Sequence, residues 1–551
     1  MRNDWVKKAA TGFLIFLMFA IPIVWWTRLN ANYYSTKLTL LFFTGGFAWL
    51  MIPRKLYVPK FPRLMLLSLV TIVGFQIIYH TYAFKLDEFL FLFKFLSFAA
   101  LVLWIYALNS DLEKIFSKVT YAVFAAAVAI LAFALYEFYK TRIIGFSADV
   151  SRTLGTFGNV NMFAEFFVLS LPFIFHWSRF KDKVPHLLKL AILTVWIFFI
   201  LYCKSRSAWI GLLLWLLLFF RYKATARELL FIGLAFFLYM ANVYAPSEIN
   251  DSVAVKGNSF NERLGLYEAT LDMIKDNPWG IKVGRFMGEI ELYQMNSGIK
   301  PSEFTYFDQP HSEFLKWGAQ FGWLFIVAVG AFLLVTVIQL FKWARANKNL
   351  FFVQAFMVLA PQMLFQFPFE NPASLLYLSV VVGLYFHEFA SAKEIKISLA
   401  YRPLLVGLFL AGTYSALGFL NSVYQESTTP KTEGIVAACE YYPINIKACH
   451  AKYGYYLEMK QFSRFTVDFK EDFMKEPFFV DYLRLLPTYY SLQQNNKKTC
   501  EALYLYKTIF PEQVAFEVKY YDNCKGFSNL FYFEDPKKFR AKYFTWLDNL
   551  N

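Results

Sequence analysis

Residues 309–340 read QPHSEFLKWGAQFGWLFIVAVGAFLLVTVIQL, and this stretch decides the fold. Its second part, FGWLFIVAVGAFLLVTVIQL, is uncharged and long enough to cross the roughly 30 Å hydrocarbon core of a bilayer. Its first part is polar, so a histidine, a serine and a glutamate stand at the mouth of an apolar span. Segments of the same kind recur, among them TGFLIFLMFAIPIVWW at 11–26 and FLFKFLSFAALVLWIYAL at 91–108. The 551-residue chain is 58% hydrophobic and 21% aromatic, and its 17% of charged residues is too few to wet a soluble surface of that size. A multi-pass membrane protein is expected. The first apolar segment follows Lys7 and Lys8 and lacks a small-residue cleavage site after it, so it is expected to stay as a helix.

About thirteen spans are expected, near 11–27, 36–52, 64–83, 89–108, 119–139, 160–177, 187–203, 206–220, 228–244, 312–341, 350–367, 373–391 and 403–421. Alternate connections are basic: Arg54, Lys55, Lys60 and Arg63; Lys114 and Lys118; Arg179, Lys181 and Lys183; Arg221, Lys223 and Arg227; Lys342, Arg345 and Lys348; Lys393, Lys396 and Arg402. The positive-inside rule puts these loops and the N-terminus in the cytoplasm, and an odd number of crossings puts the tail outside. The net charge of +15 is thereby used to set orientation, and nucleic-acid binding is not expected.

This reading divides the chain into N-terminal transmembrane helices (1–244), a large outer loop (245–311), C-terminal transmembrane helices (312–421) and a soluble outer α-helical domain (422–551). In the loop, SFNERLGLYEATLDMIKDNPWG reads as an amphipathic helix. Ser259 and Glu262 form a capping-box pattern at its start, Leu264, Tyr267, Leu271 and Ile274 share one side, and Pro278 ends it. Such a helix fits a membrane surface or packing on the bundle. The tail resembles a set of helical hairpins without a clean fixed period. Of the five cysteines, Cys439, Cys449, Cys500 and Cys524 lie in the tail; an even set outside the cytoplasm points to two disulfides, with all three pairings open, against the alternative of four buried thiols.

On this topology Arg152, Lys204, Arg206, Arg263, Arg285, His311, Glu370 and Asn371 all map to the outer face. Basic residues there run against the orientation bias, and gripping an anion is a physical reason for them, since the guanidinium fork matches phosphate oxygens in pairs. A snorkelling or headgroup contact is the competing reading for each arginine. Lys94 and Glu165 lie inside spans, where ionisable groups face a polar cavity or each other. The chain has no HExxH, P-loop or GxSxG pattern, and its histidines lack metal-ligand spacing, so no metal and no cofactor are expected. His311 reads as an acid/base group, or else as a polar helix cap.

The stretches RTLGTFGNVNMFAEFF (152–167), SRSAWIGLLL (205–214), RLGLYEATLDMIKDNPWGIKVGRF (263–286) and PHSEFLKWGAQFGWLFIVAV (310–329) resemble, in order, those of the O-antigen ligase and polymerase superfamily, which is related to bacterial protein O-oligosaccharyltransferases. The resemblance implies a GT-C-like bundle of about 12–13 transmembrane helices in the bacterial inner membrane. It also implies metal-independent transfer of a glycan from an undecaprenyl-diphosphate carrier at the periplasmic face. It would make His311 the base that activates the acceptor, Arg206 and Arg263 the holders of the donor diphosphate, and Arg152 and Arg285 further diphosphate ligands. Lys94, Lys204, Glu165 and Glu370 would line the same cavity. Ser312 stands where many members have Asn, and Ile281 and Lys282 where the loop is richer in glycine. The acceptor stays open between lipid A core, a protein hydroxyl and another repeat unit, with lipid A core favoured. From another class, a lipid-linked glycan transporter or flippase would place its polar groups near the midplane.

Overall fold

The computed structural model of the chain describes residues 2–24, 32–51, 55–59, 86–108, 112–143, 157, 159–178, 185–221, 226–244, 251–281, 286–294, 310–347, 350–388, 392–396, 431–441, 446–475, 480–509, 524 and 536–548, with scattered positions between 407 and 425. These residues fold into two compact units: Met1–Thr71, Phe89–Ser247 and Ala328–Thr428 in the first, and Ile72–Glu88, Glu248–Val327 and Thr429–Asn551 in the second. The short segment after His311 therefore groups with the large loop rather than with the following spans.

The first unit contains α1 (Arg2–Ile23), α2 (Asn32–Met51), β1 (Lys55–Pro59), α3 (Leu86–Ala107), α4 (Leu112–Ile143), α5 (Val160–Ser178), α6 (His186–Tyr202), α7 (Arg206–Arg221) and α8 (Ala226–Tyr244). In the second unit α9 (Asp251–Asp276), α10 (Phe286–Gln294) and α11 (Glu313–Phe321) are followed by α12 (Trp323–Asn347), which leads back into the first. There α13 (Phe351–Phe365), α14 (Pro372–Glu388) and β2 (Ala392–Lys396) complete the set. The expected span at 64–83 lies outside the described residues, and that at 403–421 is described only at scattered positions.

Helix α5 is the hub of the first unit, packing on α4, α6, α7, α13 and α14. A helix apolar all round suits that place, and Phe163, Phe166, Phe167 and Phe173 are fully buried. Trp196 of α6 donates its indole N–H to the carbonyl of Phe167 at 2.9 Å, which ties the two helices at a buried polar atom. The outer faces of the unit are apolar as well: Leu213, Leu217, Leu230, Phe237 and Leu334 are each more than half exposed. In water each would forfeit about 25 cal/mol per Å² of apolar surface, whereas lipid accepts them without that loss. Phe116–Tyr136 and Trp323–Lys342 are each long and apolar enough to cross a membrane, and shorter apolar helices accompany them.

The all-α expectation needs one amendment. β1 and β2 pair antiparallel, Lys55 opposite Lys396 and Pro59 opposite Ala392. The two strands come from the connections after the second and the twelfth expected spans.

Three further expectations are corrected. The span read as one helix over 312–341 breaks at Gly322, whose φ of +80° an ordinary residue rarely adopts. The loop helix starts at Asp251, about two turns before Ser259, so Ser259 is interior and does not cap it. Its buried face is Leu266, Ala269, Thr270, Met273 and Ile274, while Leu264 and Leu271 are exposed. Of the four expected positions Ile274 is buried and Tyr267 half-buried, while the two leucines face outward, because this helix carries leucine on both sides.

The tail helices are α15 (Lys431–Tyr441), α16 (Ile446–Glu458), α17 (Phe462–Lys475), α18 (Val480–Leu492), α19 (Asn496–Ile509) and α20 (Pro536–Asp548). A period is present after all. From Ile446 to Val480 and from Phe462 to Asn496 the helix starts recur at 34 residues, the period of tetratricopeptide-type helix–turn–helix arrays. The turns recur too: Lys460 and Gln494 have φ of 56° and 57°. At each turn the next residue returns to the preceding helix, Gln461 N–H to the Tyr456 carbonyl and Asn495 N–H to that of Tyr490. Pro443, Pro477 and Pro511 keep the same spacing. Neighbours in sequence are neighbours in space from α15 through α19, as in a solenoid. Cys500 and Cys524 form a disulfide and Cys439 is also disulfide-bonded, while Cys203 is buried and outside any disulfide. Buried residues of the loop, such as Leu266, Ile290 and Ala319, belong to one hydrophobic cluster with the tail's Tyr453, Phe469 and Tyr543.

Candidate functional site

In the second unit His311 stands one residue ahead of the helix cap. Ser312 is the N-cap of α11, extended at φ −154°, and its hydroxyl accepts the N–H of Leu315 at 3.4 Å. The cap role is thus taken by serine, and the histidine is left for another purpose. His311 has φ of +50°, a left-handed conformation that costs a side-chain-bearing residue about 1–2 kcal/mol. Tyr267, one turn on from Arg263 along α9, donates its hydroxyl to the His311 carbonyl at 3.3 Å and helps hold that conformation.

The electrostatics of this corner follow from its composition. Burial, together with the Arg263 guanidinium, pushes the His311 imidazole down to about 4. The ring is therefore neutral at neutral pH, with a lone pair available to take a proton. Burial raises the Tyr267 phenol, and Arg263 works against that rise. Arg263 is half-buried. A guanidinium, a neutral imidazole and a phenol in one place can bind an anion and relieve a hydroxyl of its proton.

In the first unit the connection between α6 and α7 is three residues, Cys203, Lys204 and Ser205, with Lys204 at φ +51°. The Ser205 and Ser207 hydroxyls lie 3.2 Å apart. Arg206 is the exposed first residue of α7, where the free backbone N–H groups of a helix start add to its positive charge.

Lys94 and Glu165 do not pair with each other. Lys94 forms a salt bridge with Glu370. Glu165, 1% exposed, accepts hydrogen bonds from the Ser374 hydroxyl and, at 3.2 Å, from the Asn371 amide. Asn371 also accepts the N–H of Ala373 at 3.2 Å. One short segment, FENPAS, thus serves both buried ionisable groups, Lys94 with a counter-charge and Glu165 with neutral hydrogen-bond donors. Arg152 and Arg285 lie outside the described residues.

Sequence reasoning missed the part played by Tyr267, which it took as a plain apolar position, although its spacing of four from Arg263 on a helix puts both on one flank. It also missed Glu313, 1% exposed in the first turn of α11, and Lys37. Lys37 is 1% exposed in α2, donates to the Val24 carbonyl at 2.7 Å and lies 5.1 Å from the ring centre of Phe157. A lone lysine within an apolar helix was the available signal.

Apolar outer faces around an apolar helical core define a helical membrane protein. Residues 190–330, about a quarter of the chain, match the family model described as O-Antigen ligase. Arg206, Arg263 and His311 fall inside the matched stretch, while Lys94, Glu165 and Glu370 fall outside it. No match was found among curated proteins.

Proposed function

We propose that this protein is a metal-independent, O-antigen ligase-type glycosyltransferase of the bacterial inner membrane. In this reading it moves a glycan from an undecaprenyl-diphosphate carrier to a hydroxyl of lipid A core at the periplasmic face. The observation that carries the proposal is the His311, Arg263 and Tyr267 corner within the stretch that matches the family.

The acceptor oxygen attacks the anomeric carbon while His311 takes its proton. The bond from that carbon to the diphosphate oxygen breaks, and the diphosphate leaves with the electron pair. Charge grows on the leaving oxygens, and Arg263 and Arg206 would each stabilise it, with Arg152 and Arg285 as further ligands. Lys94, Lys204, Glu165 and Glu370 would shape a polar site. The N-terminus would be cytoplasmic, and the loop 245–311 and tail 422–551 would be periplasmic.

Deletion of the gene, with lipopolysaccharide and glycoproteins compared on gels, tests the assignment. Loss of polymer from lipid A core with accumulation of lipid-linked polymer supports the ligase reading. Loss of protein glycosylation alone, or single-unit chains on lipid A core, replaces it with a protein transferase or a polymerase. Loss of glycan from all acceptors, with lipid-linked donor trapped on the cytoplasmic side, would point to transport.

A further inference from the structure

We propose that the Pro278–Trp279 turn and the first turn of α12 form an anchor seated in the headgroup and upper acyl region of the bilayer. The inference rests on α12 being a membrane span and is independent of the transferase reading.

Trp323 opens the apolar run Trp323–Lys342, so it marks the level at which that helix leaves the hydrocarbon core. Trp279 is held beside that level by backbone bonds. The Trp323 N–H reaches the Pro278 carbonyl at 3.1 Å, and the Ile281 N–H reaches that of Ala319 at 2.8 Å. Gly280 and Gly322 leave no space for a side chain between the two segments, because a Cβ on either would collide with the other's backbone. The turn is therefore fixed against the start of α12 rather than free to lie elsewhere.

What it displays is apolar. Trp279 is 63% exposed, Trp323 43% and Leu324 58%. Indole has an apolar body and one N–H donor, the combination that settles at a membrane interface. The outward stripe of α9, with Leu264, Glu268, Leu271 and Lys275 exposed, leads into this turn and alternates apolar with charged groups. The opposite face of α9 is committed to the buried cluster with the tail. A bilayer surface satisfies both kinds of outward group, apolar ones in the acyl layer and charged ones among headgroups.

The test uses full-length protein in nanodiscs of phosphatidylethanolamine and phosphatidylglycerol. A spin label is placed at Trp279→Cys and, as a water reference, at Val467→Cys, a position 70% exposed in α17. The expected result is collision with a water-soluble nickel chelate about fivefold lower at 279 than at 467, with collision with oxygen higher. Equal chelate collision at the two sites would mean a water-exposed turn and would overturn the proposal. Low collision with both reagents would mean a protein cover, such as a second copy, and would overturn it equally. Trp279→Phe provides a check without a label: it should remove a component of tryptophan fluorescence that brominated lipid quenches in the parent protein, and unchanged quenching would count against the anchor.

Discussion

Trp323 donates its backbone N–H to the carbonyl of Pro278 at 3.1 Å, joining the end of the loop helix α9 to the start of α12. Each segment carries a glycine at positive φ close to the bond, Gly280 at φ +90° two residues after Pro278 and Gly322 at φ +80° just before Trp323. Gly280→Ala or Gly322→Ala should therefore destabilise by about 2 kcal/mol or more, from the backbone conformation together with the collision across the joint. Thermal unfolding of the detergent-solubilised protein would show it. A melting temperature equal to the parent's would mean that the joint opens without cost.

His311 allows a pH prediction. Its imidazole is depressed to about 4 in the fold against an ordinary 6.5. The unfolded chain binds the extra proton between these values, so this group's contribution to stability is present above 6.5 and is lost as pH falls toward 4. Removing the neighbouring charge with Arg263→Gln should raise the imidazole and shift the acid limb of kcat/KM upward in pH. His311→Ala should abolish transfer with the protein still folded; near-normal transfer would remove the histidine from the base role.

The Lys94 and Glu370 salt bridge is poorly exposed, with side-chain exposures of 10% and 17%. Lys94→Met or Glu370→Gln alone should each cost about 3 kcal/mol, because each leaves one charge without its partner. The double variant should cost less than the sum of the two. Strict additivity in unfolding measurements would show that the pair is not coupled.

The tail disulfide Cys500–Cys524 closes a loop of 24 residues. Replacing both cysteines by serine should lower stability by about 3 kcal/mol in the chain-entropy account. Lys460→Gly and Gln494→Gly should act in the opposite direction, by about 1 kcal/mol each, because both positions are left-handed helix ends. Protease resistance of the tail in the full-length protein would rank these variants. Loss of resistance in either glycine variant would contradict the assigned conformation.

Much of the helical layout was legible beforehand. Apolar runs such as 160–177, 187–203 and 206–220 became helices within a few residues of their expected ends, because burying twenty apolar residues leaves few alternatives to a helix. The break at Gly322 was not legible, since glycine is common within apolar spans and the residues on either side of it, Phe321 and Trp323, continue the apolar run. Only the approach of Pro278 and Ala319 to one another's segments shows why the chain must turn there.

Among the polar residues, the sequence singled out Lys94 and Glu165 by their cost in an apolar setting and Glu370 and Asn371 by their place on the expected outer face, yet it did not show which of them pair. Lys94 and Glu370 are 276 positions apart, and Glu165 and Ser374 are 209 apart. The second partnership depends on α5 packing against α14, and the first joins α3 to the turn that precedes α14. The 34-residue period hid for a related reason: its signature is in helix length, turn conformation and proline spacing, while the core side chains filling each repeat differ.

By itself, then, the sequence determined that this chain is a helical membrane protein with arginines and a histidine along one expected face, because hydropathy and loop charge act locally. The tertiary structure alone decided that His311 is desolvated beside Arg263 and Tyr267, and which carboxylate answers which lysine. Those outcomes depend on burial and on contacts between distant segments, and neither quantity exists until the helices pack.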